Sequence, residues 1–222
     1  MTMFLLAGLA GPAAHSQRRA SPPLPATGST VAYFIPPRYG ELADSRAVGD
    51  LNHDGRPDLA LVLRPLVEDT TAYPDEALPA RLLLVLFGTP TGYVLAAQTG
   101  RAVLCKGCGG MYGDPFAGLT IEKGILGVAH YGGSNWRWRI DSKFRYQQNG
   151  FYLIGETRDY GRNDGDCPGL VGPAGWEYRD TNFLTGDYEV WKVSEECQLL
   201  AHRRGKNKPA PLRKLGSSRV NQ

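Results

Sequence analysis

Trp136, Trp138 and Ile140 alternate with Arg137, Arg139 and Asp141. A period of two puts the first three on one face of an extended strand and the charges on the other. A helix cannot separate them that way, so this segment commits its surroundings to sheet. The run extends from Asn135 to Tyr146 and stops at Gln147-Gln148-Asn149-Gly150, where Asn-Gly is a tight-turn pair. Phe151–Thr157 then returns as the partner strand. Two more hairpins are predicted. Leu119–Glu122 and Ile125–Ala129 flank Lys123-Gly124, and Arg81–Phe87 turns through Gly88–Gly92 into Tyr93–Ala97. Leu59–Leu63 is apolar on both faces, which places it centrally in its sheet. Further strands are expected at Val31–Ile35, halted by Pro36-Pro37, and at Tyr188–Val193. Arg64–Ala80, Gly100–Gly118 and Asp159–Asp180 read as loops, with room for one short helix before Cys197.

Glycine (28) and proline (16) exceed their usual share, which multiplies turns and disfavours long helices. The expected fold is mainly β: an antiparallel meander, sandwich-like or partial propeller-like, with few or no helices. A single β-rich domain is expected over residues 31–200. Before it, Met1–Ser16 is a short apolar run ending in small residues. It matches a secretory signal peptide with Ala14-His15-Ser16 as the cleavage site, and it is too short and too interrupted to span a membrane. This predicts export, to the periplasm or outside the cell. Residues 17–30, with Arg18, Arg19, Pro22, Pro23 and Pro25, read as a Pro-rich linker.

Charge is uneven. From His202 to Gln222 there are seven Lys/Arg and no Asp/Glu, which leaves 18 basic and 22 acidic residues elsewhere. Residues 201–222 are expected to be a basic, disordered tail able to meet an acidic partner. No aromatics interleave with the charges to stack bases, which points away from nucleic acid.

One motif carries recognisable chemistry. Asp50, Asn52 and Asp54 alternate, so their short side chains converge as the backbone curls, and Gly55 permits the sharp turn. Arg56 would offer its backbone carbonyl, and Asp58 would close the shell. Hard oxygen donors with three carboxylates suit Ca²⁺ better than zinc or copper. An EF-hand is excluded, because Leu61 stands at the twelfth position and Pro57 leads into a β-run rather than a helix.

The spacing resembles the calcium loop of FG-GAP/VCBS repeats, which joins two strands of a propeller blade. That resemblance implies ligand roles for Asp50, Asn52, Asp54, Arg56 (carbonyl) and Asp58, with Arg46–Gly49 and Leu59–Leu63 as flanking strands. Only one copy occurs in the chain. The order of Gly49–Leu63, Leu82–Ala97, Cys105–Phe116, Tyr131–Trp138 and Phe151–Ile154 is similar to a group of uncharacterised bacterial exported proteins and lipoproteins. Their resemblance implies export and a β-rich domain, with no assigned activity.

The four cysteines at 105, 108, 167 and 197 allow three pairings. Cys105–Cys108, a small strained ring, and Cys167–Cys197 are the expected ones. Gly109-Gly110-Met111 starts no helix, so redox catalysis by the first pair is not expected, and a zinc site built from all four ranks below disulfides. His130, the best-placed histidine, has Asp114, Glu122 and Glu156 as candidate partners, but a strand-end histidine bonded to backbone is the preferred reading. Tyr131, Trp136 and Trp138 suit a sugar ring as well as a core, and the period favours the core. Arg137 and Arg139 are left to meet an anion.

The functional expectation is an exported, calcium-stabilised β-domain without enzymatic activity, binding an unknown protein or glycan of the envelope. A secreted hydrolase using His130 and a carboxylate is one alternative. An inhibitor or adaptor docking through the basic tail is another.

Overall fold

The computed structural model describes residues 21–69 and 79–217, so the expected signal peptide (residues 1–16) lies outside the described residues. The chain is mainly β, in two antiparallel sheets. The first holds β1 (Thr27–Gly28), β2 (Tyr39–Glu41), β3 (Ala47–Gly49), β4 (Asp58–Pro65), β5 (Leu82–Thr89) and β6 (Gly92–Thr99). Its order is β1-β6-β5-β4-β2, with β3 also on β4. Ser45 fills the gap between β2 and β3: its hydroxyl exchanges hydrogen bonds with both the N–H and the C=O of Val62.

The second sheet is a meander in sequence order, curled into a half-barrel. It holds β7 (Phe116–Glu122), β8 (Ile125–Gly133), β9 (Trp136–Gln147), β10 (Gly150–Arg162), β11 (Glu177–Asn182), β12 (Asp187–Val193) and β13 (Leu199–Lys206). The helical segments among the described residues are 3-10 turns at Val31–Phe34, Leu66–Asp69 and Lys106–Tyr112.

The apolar runs of β4 and β5 have two jobs. Ala60, Val62, Leu83 and Val85 face the second sheet, packing with Leu126, Val128, Phe144 and Phe151. Leu59, Leu61, Leu63, Leu82, Leu84 and Leu86 face the other way, with Phe34. Burial on both sides is why these strands do not alternate. Each fully buried Leu or Phe contributes roughly 1.5–3 kcal/mol.

Four expectations are corrected. Val31–Ile35 is a 3-10 turn rather than a strand. Pro36 and Pro37 supply no ladder donors, Ile35 is extended as a residue before proline must be, and the turn aims Phe34 (0% exposed) into the outer core. The linker is partly structured, because Thr27–Gly28 pairs with β6 and Gln98 Nε2 donates to the Pro22 carbonyl at 2.8 Å. The Asp159–Asp180 loop is shorter than expected: β10 runs to Arg162 and β11 starts at Glu177, with Tyr160 facing Glu177.

The fourth correction concerns the basic tail. Leu199–Lys206 forms β13 on β12, and Leu153 and Leu215 exchange backbone bonds with Arg213 and Phe151. Part of the charge is matched across the strands, since Arg204 and His202 reach Glu189 at 2.8 and 3.0 Å and Lys206 reaches Asp187 at 3.5 Å. Arg204 and His202 hold the Glu189 carboxyl down to about 2. The short helix weighed before Cys197 is a turn, with Cys197 at φ 60°. The cysteines pair as Cys105–Cys108 and Cys167–Cys197. No helix among the described residues is long and apolar enough to cross a membrane.

Candidate functional site

The acidic loop lies between β3 and β4, flanked as expected by Ala47–Gly49 and Asp58–Pro65. Asp58 is its anchor. It is 0% exposed, and its two oxygens accept the N–H of Leu51 at 2.8 Å and of Gly88 at 2.9 Å. Burial pushes its carboxyl up, and those N–H groups oppose the shift. Gly88 has to be glycine: a Cβ there would lie 2.3 Å from the Pro57 carbonyl oxygen. The loop therefore rests on the β5–β6 hairpin. Its other side touches the second sheet, where a Cβ on Gly124 would come 2.5 Å from the His53 ring. The loop thus ties the β5–β6 and β7–β8 hairpins together.

The remaining ligand candidates form a chain of Asx turns. Asp50 accepts the N–H of His53 at 2.7 Å and of Gly55 at 3.0 Å. Asn52 Oδ1 accepts the Asp54 N–H at 3.0 Å, and Asp54 accepts the Arg56 N–H at 2.8 Å. The Arg56 N–H holds the Asp54 carboxyl below the usual carboxylate range. Gly55 takes φ 82° at the turn. The donor types fit Ca²⁺. Among the described residues no three acidic, His or Cys groups stand close enough to share an ion, and Asp58 is turned inward onto backbone. As arranged, the loop closes on its own hydrogen bonds.

A buried polar node went unseen in the sequence. Arg81, 2% exposed, sits at the entry to β5. Its guanidinium donates to Glu68 from Nε and Nη2 at 3.0 Å and to Asp114 from Nη1 at 2.7 Å. Burial disfavours its charge, but the two carboxylates outweigh burial and raise its pKa. His130, also 0% exposed, lies beside this node. Its Nε2 accepts the Leu104 N–H at 3.3 Å, and its Nδ1 has no partner among the described residues. Burial, then the Arg81 charge, lowers its pKa to about 4, and Asp114 opposes them. Of the three expected carboxylate partners Asp114 is the one that acts on it, while Glu156 pairs with Arg158 at 2.7 Å. A sealed, neutral histidine bonded to backbone matches the preferred reading of His130.

The third feature emerges from strand register. Phe144, Ile140 and Trp138 share the inner face of β9, the face that meets the first sheet. Across β9 to β13, one row on that face reads Ile140, Arg158, Arg179, Val190, Arg203. The next reads Trp138, Tyr160, Glu177, Lys192, Ala201. These rows form an open groove of about 360 Å³ over Trp138, Ile140 and Val190. It continues into a second hollow of about 390 Å³ toward Ala201 and Arg203. Trp136 stacks on Tyr160 at its mouth, ring centroids 5.2 Å apart. Trp138 is thus a half-buried groove residue rather than core, Trp136 is half-buried against Tyr160, and Ile140 is buried. On the opposite face Arg139 pairs with Asp141 at 2.7 Å, and Arg137 lies over the Tyr112 ring at 5.1 Å.

No family model, no curated protein and no solved structure matches the chain. Its functional reading rests on the geometry above.

Proposed function

We propose that the protein is an exported, non-enzymatic binding module whose partner sits in the groove across β9–β13. The groove carries this reading: it is an open hollow of about 360 Å³ with an apolar and aromatic floor and charged walls, the composition of a recognition site. His130 and Arg81 are sealed in the protein interior, away from any substrate in solution. The two disulfides fit an oxidising compartment outside the cytoplasm.

In the same reading the Asp50–Asp58 loop is a structural clasp rather than the binding site, and Ca²⁺ is its proposed ion. Asp50, Asn52, Asp54 and the Arg56 carbonyl supply oxygens on its solvent side, and a cation would offset the repulsion among the carboxylates. Asp58 holds the clasp to β5 from beneath.

Hydrogen exchange of the full, oxidised chain with and without an extract of envelope polysaccharide and protein tests the proposal. Protection concentrated in β9–β13 is expected. Protection confined to other strands, or none, refutes it. Turnover of ester, glycan or peptide substrates that disappears in His130→Gln would also refute it.

A further inference from the structure

We infer that the groove across β9–β13 takes an acidic polysaccharide, a chain of sugar rings bearing carboxylates or sulfates. This deepens the binding-module reading and rests on it. Four cations of the inner face line the groove, and two are matched. Arg158 pairs with Glu156 at 2.7 Å and Lys192 with Glu177 at 2.8 Å. Arg179 and Arg203 are exposed and enter no ion pair or side-chain hydrogen bond among the described residues. They flank Val190 on one cross-strand row. With strands about 4.8 Å apart, their backbones stand roughly 10 Å from each other. At that distance, on an exposed face, the two unmatched guanidiniums repel each other only weakly. They present planar donor forks that fit carboxylate or sulfate oxygens.

The direction of the groove selects the polymer. It runs across the strands, where the ladder amides of β9 to β12 already have strand partners on both sides. A peptide lying there would find no backbone donors or acceptors, and its own amides would go unpaired over Ile140 and Val190. Peptides join sheets at edges instead. A sugar ring needs no such ladder. Its C–H faces pack on Trp138, Tyr160 and Val190, its hydroxyls stay in water, and its acid groups reach Arg179 and Arg203. The outer face offers no equivalent, because Arg204, His202 and Lys206 are engaged with Glu189 and Asp187.

The test uses the full oxidised chain and four immobilised probes: polygalacturonate, dextran sulfate, neutral dextran and poly-L-glutamate. Arg179→Gln/Arg203→Gln is compared with Arg204→Gln/Lys206→Gln, which removes the same charge from the outer face. Binding to polygalacturonate or dextran sulfate, absent on neutral dextran, is expected. The groove pair should weaken it by roughly tenfold per arginine, the outer pair by less than about threefold. Tyr160→Ala should weaken it without altering charge. Which polyanion binds more tightly separates carboxylate from sulfate recognition. Equal loss in both double variants means diffuse attraction to a basic protein and overturns the inference, as does failure to bind either polyanion. Binding of neutral dextran or poly-L-glutamate that is lost in Tyr160→Ala overturns the acidic-glycan assignment while leaving the binding module standing.

Discussion

Replacing Arg81 by methionine probes the buried node most directly. Arg81 has 1% of its side chain exposed, and its partner Glu68 has 3%. Methionine fills similar volume but returns no charge, so Glu68 is left ionised without a partner in the interior. Breaking a buried pair from one side costs roughly 3–5 kcal/mol. In a domain of this size each kcal/mol moves the melting temperature by about 2–4 °C, so a fall of roughly 6–20 °C is expected. Asp114 adds little to the loss, because its side chain is 35% exposed and can hydrate. Adding Glu68→Gln should recover at least half of the loss, since an amide is far cheaper to bury alone than a carboxylate. Urea unfolding followed by tryptophan fluorescence measures the wild type and both variants. A single-variant loss below about 1 kcal/mol, or a double variant no better than the single, would refute the account.

Asp58→Ala strips acceptors from the buried N–H groups of Leu51 and Gly88; each costs roughly 1–3 kcal/mol, and the Gly88 amide should lose exchange protection. If the acidic loop holds Ca²⁺, calcium should raise the melting temperature of the wild type over that in chelator and leave Asp54→Ala unmoved; identical melting in chelator and calcium rules the ion out. His130 has a folded-state pKa of about 4, below its ordinary value of 6.5, so the unfolded chain binds the extra proton and stability falls as pH drops from about 6.5 to 4. The slope integrates to something on the order of 3 kcal/mol, and His130→Gln should flatten it in pH-dependent urea titrations; an unchanged slope means another group carries it.

The strands around the three hairpins were legible in the sequence, because period and turn residues are local signals. So was the central place of Leu59–Leu63, since continuous apolarity has few other meanings. The flanks of the acidic loop were readable for the same reason. The direction of Asp58 was not: its carboxylate turns inward because the Leu51 and Gly88 amides await it. Arg81, Glu68 and Asp114 stand 13 and 33 positions apart, and no periodic signal links them. The tail was misread for a related reason. Seven cations with no acid nearby in sequence look solvated, yet β12 brings Glu189 beside Arg204 and Asp187 beside Lys206 once β13 pairs.

The groove shows where a strand pattern stops being informative. Trp138, Ile140, Ser142 and Phe144 occupy alternate positions of β9 and point to one face. Phe144 belongs to the cluster shared with β4 and β5, while Trp138 lines the open hollow. Period assigns a face and says nothing about what covers it. The first sheet packs on the β7–β10 end of the second, and β11–β13 extend the half-barrel past that cover. Their outer face is filled by the cluster of Trp176, Val193, Cys167 and Ala174, so the lobe is closed on one side only. The Cys167–Cys197 bridge ties the β10–β11 connection to the segment leading into β13, fixing the strands whose inner face stays open. A sheet longer than its partner leaves an uncovered surface with a fixed shape, and on that surface stand Arg179 and Arg203, without acids to match among the described residues.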